Sequence, residues 1–255
     1  MYIDTHCHLD DEKFSDVKEE VNKYLAAGVD TVINAGYNLA SSENGKKLSE
    51  KFTSVYFAVG FHPSDSAYYD DIAEKRLIEL AAEKKCVAIG EIGLDYHWDY
   101  DKTIQKEIFE RQLYLAYKAG LPFCIHSREA TKDTLDMLKS NKKYIERGGV
   151  MHCFSGSKET CAEYLDLGLY IAFGGVVTFK NSVNVKEAAA FTPTDRILTE
   201  TDSPYMSPEP KRGRVNSPEN VAIVCDYLSA LKNADKTDFA EQVKNNAKRL
   251  FVKLK

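Results

Sequence analysis

The sequence predicts an α/β fold, a closed (β/α)8 barrel of the TIM type, formed as a single domain over residues 1–255 with extra helices at the C-terminus. Short β-rich runs alternate with helix-like stretches along the chain. The runs are almost continuously apolar, as in strands that are buried on both faces. Polar residues suited to chemistry fall at or just past the ends of these runs, where barrel enzymes carry their active sites.

Each element is justified by its own pattern. The strand candidates are 2–6, 31–35, 55–60, 87–93, 122–126, 149–153, 169–175 and 196–201. The helix-like stretches are 15–27, 40–51, 72–84, 103–119, 129–143, 157–167 and 182–191, and several of them end at a glycine. Residues 217–253 predict two further helices with a break near Asn233. The glycine fingerprints of open nucleotide-binding sheets are absent, which favours the closed barrel.

Composition narrows the function classes. The chain has 255 residues, 44% of them hydrophobic, and so can bury a sizeable core. A net charge of -5 argues against a protein that coats nucleic acid by bulk positive charge, although an enzyme can still bind a few phosphates locally. The chain has no apolar run of membrane-spanning length and opens MYIDTHCHLD rather than with a signal peptide, so we expect a cytoplasmic protein without membrane contact.

The densest chemical signal is His6-Cys7-His8. Side chains alternate faces along a strand, so His6 and His8 point the same way and can bind one ion, whereas Cys7 points away. A lone H-x-H also describes two partly buried histidines. Asp4 has the same parity and either orients a ligand or faces the barrel interior. The six cysteines form no C-x-x-C pair and are expected to be mostly buried thiols.

Four further candidates each lie on a different predicted strand end: Glu91, His126, His152 and Asp202. With the two N-terminal histidines they make six groups, too many for one tetrahedral zinc but suited to two divalent ions bridged by a carboxylate. We expect Glu91 to be the bridge and Asp202 to be a ligand that also accepts the proton of the attacking water. Core histidines and helix N-caps are the alternative interpretation, which must then hold six times in register. Cys153, next to His152, is expected to face away by parity.

Substrate contacts are predicted around the same mouth. Arg128 and Arg214 are candidates to bind flanking phosphates, because a guanidinium meets two phosphate oxygens at once. Salt bridges, or a solvated loop at 211–214, remain the alternatives. His62 follows a strand and is expected to contact substrate. The aromatic stretch 96–98 is interpreted as a lid rather than a base-stacking platform, and Glu200 as a partner of a ligand rather than a ligand.

The chain resembles the TatD-type metal-dependent deoxyribonuclease family. The motifs that carry the resemblance are IDTHCHLD (3–10), VGFHP (59–63), AIGEIGLDY (88–96), IHSREA (125–130), HCFSGS (152–157), FGG (173–175), ETDSPY (200–205) and PKRGRVNSPEN (210–220). The resemblance implies a barrel metallohydrolase that hydrolyses DNA phosphodiester bonds, commonly as an exonuclease acting on single-stranded or frayed ends. It makes His6, His8, Glu91, His126, His152 and Asp202 the metal ligands, and places His62 beside the scissile phosphate.

The sequence leaves open which metal is bound and which type of bond is hydrolysed. Two divalent ions can clamp a phosphate and activate water, and mixed histidine and carboxylate ligands suit zinc or manganese, although magnesium is also open. An amidohydrolase-type enzyme acting on an amide or ester, such as D-aminoacyl-tRNA, is the alternative function. Many such enzymes bridge their metals with a modified lysine where this chain has Glu91, which favours the nuclease. No obligate protein partner is evident, and a non-catalytic binding protein would lack ligands that are present here.

Overall fold

Eight parallel strands form one sheet in the order in which they occur along the chain. The computed structural model describes all residues from 1 to 255. The strands are β1 (Tyr2–Cys7), β2 (Val29–Ala35), β3 (Val55–Val59), β4 (Cys86–Asp95), β5 (Phe123–Arg128), β6 (Gly149–Met151), β7 (Tyr170–Phe173) and β8 (Ile197–Thr199). Each strand pairs with the next, so the predicted barrel order is confirmed.

Nine α-helices surround the strands, and most begin where a polar side chain caps the helix. They are α1 (Val17–Ala26), α2 (Leu39–Lys51), α3 (Asp71–Ala81), α4 (Lys102–Ala119), α5 (Thr131–Ser140), α6 (Lys158–Asp166), α7 (Val183–Phe191), α8 (Val221–Leu231) and α9 (Lys236–Leu250). Asp16, Asp101 and Asp235, for example, accept main-chain amides at the starts of α1, α4 and α9. None of these helices combines the length and apolarity that a membrane crossing requires.

The seam between β8 and β1 closes the ring without a regular ladder. The Thr5 hydroxyl donates to the carbonyl of Thr199 at 3.0 Å, and the Thr199 hydroxyl donates to the carbonyl of Ile3 at 3.1 Å. Asp4, fully buried, accepts the amide and hydroxyl of Thr201. Asp4 therefore joins the first and last strands of the barrel.

The two C-terminal helices cover the same seam from outside. Both α8 and α9 pack against β1 and β8, and the break between them spans residues 232–235, as the sequence predicts. Because the strands are enclosed by helices, their side chains are buried on both faces, and every residue of β4 is buried. The carboxyl ends of the strands are thereby held in fixed positions around one mouth.

Candidate metal centre

One cavity of about 780 Å³ opens at the carboxyl ends of the strands. Seven of the nine residues that the sequence predicts for the site line it: His8, His62, Glu91, His126, Arg128, His152 and Asp202. His6 lies beneath them, 1% exposed, and contacts the same cluster. The remaining residue, Arg214, is not part of the cavity wall.

The carboxylate of Glu91 stands between two pairs of imidazoles. Its Oε2 lies 3.4 Å from Nε2 of His6 and 3.8 Å from Nε2 of His8. Its Oε1 lies 2.8 Å from Nδ1 of His126 and 3.3 Å from Nε2 of His152. Each oxygen thus faces a different pair of nitrogens, which is the arrangement that a carboxylate shared by two ions requires.

Asp202 joins the first of these pairs. Its Oδ1 lies 3.4 Å from Nε2 of His8 and 3.8 Å from Nε2 of His6, and the two histidine nitrogens are 3.3 Å apart. Asp202 follows β8 in a left-handed conformation, φ 55°, which aspartate tolerates better than most residues. Its amide donates to the carbonyl of His6, which fixes the turn beside β1.

The donor atoms fit divalent cations. His6, His8 and Glu91 offer ligand atoms within 4.8 Å of one another, and so do Glu91, His126 and His152. Two imidazole nitrogens on one tetrahedral zinc are about 3.4 Å apart, close to the separation of His6 and His8. A site with both nitrogen and oxygen donors suits zinc or manganese better than it suits magnesium, which prefers oxygen ligands alone.

The other ring nitrogen of each of the four histidines contacts a partner outside the cluster. The contacts are His6 Nδ1 with Cys124 Sγ at 3.4 Å, His8 Nδ1 with the Ala35 carbonyl at 3.1 Å, His126 Nε2 with Asp95 Oδ2 at 3.1 Å and His152 Nδ1 with Glu200 Oε1 at 3.0 Å. The last of these is a close charge contact rather than an aligned hydrogen bond. Such outer partners orient imidazoles so that one nitrogen faces a metal.

Burial and charge act against each other in this cluster. Burial opposes ionisation of Glu91, but the charge of the neighbouring His152 and the contacts with His126 and His152 outweigh it and hold the pKa of Glu91 well below the usual range. Burial also opposes the charge on His8, yet Asp202 raises the pKa of this imidazole to about 9. The buried carboxylates are therefore stabilised as anions by positive charge, which bound cations would also supply.

His62 differs from the four histidines above because its lone pair is directed away from the cluster. Its Nδ1 accepts the amide of Ser64 at 3.1 Å, so a neutral ring carries its proton on Nε2. That nitrogen faces Oε1 of Glu91 at 3.8 Å. Burial, opposed by Glu91, lowers the pKa of His62 to about 4. His62 consequently presents a neutral N–H donor to the cavity rather than a free lone pair.

The rim carries one arginine and several aromatic rings. Arg128 is exposed, forms no ion pair, and its guanidinium lies 5.9 Å from the ring centroid of Trp98, which is 55% exposed and also lines the cavity. The hydroxyl of Tyr96 instead donates to Asp133. Arg214 lies in a loop outside the cavity wall, and its own main-chain carbonyl accepts a hydrogen bond from the Ser207 hydroxyl.

Among the lining residues, sequence reasoning missed Asp95 and predicted Cys153 wrongly. Asp95 lies on the same face of β4 as Glu91, four residues further on, and this even spacing was the available signal. The expectation that Cys153 faces away is wrong, because β6 ends at Met151 and Cys153 adopts φ 44°, so strand alternation does not extend to it. Cys153 lines the cavity, and its amide donates to Glu200 at 2.6 Å.

A (β/α)8 barrel with imidazoles and carboxylates clustered at its C-terminal mouth defines the class of barrel-fold metal-dependent hydrolases. Within that class the chain belongs to the TatD-related DNase family, whose family model matches residues 3–252. An uncharacterized metal-dependent hydrolase of Bacillus subtilis (strain 168) is 40% identical and is covered over 99% of its length, with 98% of this chain covered.

Two further relatives are informative. A protein of Citrobacter koseri described as a 3'-5' ssDNA/RNA exonuclease is 32% identical, with 92% of this chain and 93% of that protein covered. The crystal structure of a TatD homologue from Escherichia coli K12 superposes with a TM-score of 0.92 at 32% identity, over 98% of each chain. The resemblance seen in the sequence is therefore confirmed at the level of family and fold.

Proposed function

We propose that the protein is a metal-dependent nuclease that hydrolyses phosphodiester bonds of DNA, removing nucleotides from the 3' end of single strands. The observation that carries the proposal is the position of Glu91, whose two carboxylate oxygens face separate sets of imidazoles in one cavity. The exonuclease description of the Citrobacter koseri relative supports the substrate class and the polarity.

Two divalent ions fit the donor set. Their proposed ligands are His6, His8, Asp202 and the shared Glu91 for one ion, and Glu91, His126 and His152 for the other. Such a pair supplies Lewis acidity at the phosphate and lowers the pKa of water at neutral pH.

The residues around the ions account for the rest of the reaction. A water molecule attacks the phosphorus, its proton passes to a carboxylate oxygen of Asp202, and the bond from phosphorus to the leaving ester oxygen breaks. The Nε2 proton of His62 is directed into the cavity and can donate to a non-bridging phosphate oxygen. Arg128, which has no carboxylate partner, binds the neighbouring phosphate.

The wall of the cavity favours an unpaired strand. Tyr37, Trp98 and Tyr205 line it. For Trp98 we propose base stacking in place of the lid interpreted from the sequence, because aromatic rings stack on bases of any sequence once those bases are unpaired. A volume of about 780 Å³ leaves room for more than one nucleotide.

The test is cleavage of oligonucleotides labelled at either end, single- or double-stranded, by metal-stripped protein given back magnesium, manganese or zinc singly. We expect a ladder that shortens from the 3' end of single strands and depends on added metal. Asp202→Asn is the matched control, in which the fold is kept and turnover is lost. If metal-loaded wild-type protein cleaves no DNA but hydrolyses amide or ester substrates such as D-aminoacyl-tRNA, the proposal fails in favour of the amidohydrolase alternative.

A further inference from the structure

Asp95 is a buried carboxylate to which the proposed reaction assigns no role. It is 3% exposed, ends β4, and its Oδ2 lies 3.1 Å from Nε2 of His126. The opposite ring nitrogen of His126 faces Oε1 of Glu91 at 2.8 Å. The imidazole is thus held between two carboxylates, one of them inside the proposed ion centre and the other outside it.

Asp95 is itself held in place. Gln105, buried on α4, accepts the Asp95 amide at 2.8 Å and donates to the Asp95 carbonyl at 2.9 Å. The Oδ1 atom of Asp95 accepts the amide of His97 at 2.9 Å. The carboxylate therefore cannot rotate without losing the bond to His97, and its Oδ2 stays directed at His126.

The pairing of β4 with β5 brings Asp95 close to His126. Gly93 is in register with His126 and has φ 138°, and a Cβ at Gly93 would overlap the carbonyl oxygen of His126. Only glycine lets the two strands come this close. Asp95, two residues further along the same face, is carried to the edge of the His126 ring.

We propose that Asp95 is a positioning residue, which accepts a hydrogen bond from Nε2–H of His126 and so keeps Nδ1 free to bind the ion shared with Glu91 and His152. A neutral imidazole has one proton, so a carboxylate acceptor at Nε2 leaves the lone pair at Nδ1. This inference rests on the two-ion centre of the proposed function. The partners of His6 and His8 are a thiol and a carbonyl, so the effect of Asp95 is confined to the other ion.

Glu200 and Asp95 each contact one imidazole of the cluster and one main-chain amide, but they use their oxygens differently. In Glu200, Oε1 alone accepts the Cys153 amide at 2.6 Å and also lies 3.0 Å from Nδ1 of His152. Asp95 instead uses one oxygen for His97 and the other for His126. An amide has one acceptor oxygen, so Glu200→Gln can keep the hydrogen bond from the Cys153 amide and loses only the charge beside His152, whereas Asp95→Asn must lose one of its two hydrogen bonds.

The experiment titrates metal-stripped protein with Zn²⁺ alone against a chromophoric chelator, and counts bound zinc by mass spectrometry. We expect the wild type to bind two ions. In Asp95→Asn we expect the dissociation constant of one ion to rise about 10–100-fold and that of the other to stay unchanged. Glu200→Gln is expected to weaken the same ion less than Asp95→Asn does.

Glu129→Gln is the matched control, because Glu129 contacts the imidazole of exposed His97 at 2.7 Å in a similar pair outside the cluster. Both of its zinc constants should equal those of the wild type. The Tm of the metal-free proteins separates positioning from structure, since positioning changes zinc affinity while the metal-free Tm of Asp95→Asn stays near the wild-type value.

Unchanged zinc binding in Asp95→Asn, or equal weakening of both ions, overturns the inference. If circular dichroism shows that Asp95→Asn does not fold, Gln105→Ala replaces it, because it frees the Asp95 main chain while keeping the carboxylate. We then expect a several-fold loss at the same ion, and unchanged constants overturn the inference. A wild-type protein that binds fewer than two Zn²⁺ overturns the two-ion centre and this inference together, whereas a two-ion wild type with an unaffected variant overturns the inference alone.

Discussion

The hydrogen bonds of single side chains decide which histidines can bind metal and which can bind substrate. The Nδ1 atom of His62 accepts a main-chain amide and its Nε2 carries the proton. In His126 a carboxylate contacts Nε2, which leaves Nδ1 for the cluster. Two imidazoles in the same cavity are therefore suited to different tasks, one as a donor to substrate and the other as a ligand.

Replacement of His62 tests this distinction. We expect His62→Ala to slow DNA cleavage about 100-fold, because one donor to the developing phosphate charge is lost, with bound metal unaltered. His97→Ala, which removes an imidazole outside the cavity wall, is the control and should cleave at the wild-type rate. The checks are initial rates with saturating metal, and metal analysis of both variants. A loss of bound ion in His62→Ala would make His62 a ligand instead.

Residue-level prediction from sequence succeeded where strand alternation applied. His6 lies in β1 and His8 directly follows its last residue, Cys7, so the spacing of two residues still places both imidazoles on one side. Arg214 is different, because nothing in a basic run shows whether its loop reaches the cavity. Its part in DNA binding stays a prediction, and the structure leaves it outside the wall of the cavity.

The site is built on the carboxyl ends of the strands, and sequence patterns predict these ends less well than they predict the strands themselves. The strand predicted over 149–153 ends at Met151, and the one predicted over 196–201 ends at Thr199. Just beyond each, a left-handed residue turns the chain, at Cys153 and at Asp202. Neither Cys153 nor Asp202 is a glycine, so no glycine in the sequence marks the residue at which the chain turns, and the pattern alone could not place the ends of the strands.

The close contact of β4 with β5 at Gly93 predicts how a substitution there changes the free energy of unfolding. Gly93→Ala should destabilise the metal-free protein by about 2–4 kcal/mol, because the new Cβ has no room beside the His126 carbonyl. Gly168→Ala is the control: Gly168 also has a left-handed φ, 81°, but has open space around it. We expect it to cost only about 1–2 kcal/mol. Urea unfolding measures both, and equal losses would show that crowding at Gly93 is unimportant.

The whole molecule is a ring whose closure joins residues far apart in sequence. Alternation of strands and helices predicted the ring and its two C-terminal helices. The side-chain bonds that join Thr5 to Thr199, and Asp4 to Thr201, could not be predicted, because no local pattern relates positions almost 200 residues apart.

The overall charge of -5 bears on the DNA binding that we propose. With few cations at the mouth, binding should depend weakly on salt, and Arg128→Ala should lower affinity for a single strand and reduce the salt slope by about 0.7. Arg214→Ala should have the smaller effect, since Arg214 lies outside the cavity wall. Fluorescence anisotropy with a labelled oligonucleotide, in the Asp202→Asn background to prevent cleavage, measures both. Identical slopes in the two variants would remove Arg128 from phosphate binding.

The proposed nuclease centre depends on two ions that share Glu91 as a ligand. The most direct measurement adds Mn²⁺ stepwise to metal-stripped protein and records bound metal and the rate of single-strand cleavage on the same samples. We expect cleavage to appear only as the second ion binds, and Glu91→Gln to bind metal weakly and cleave at no measurable rate. Full cleavage with one ion per chain, or undiminished cleavage by Glu91→Gln, would contradict the account.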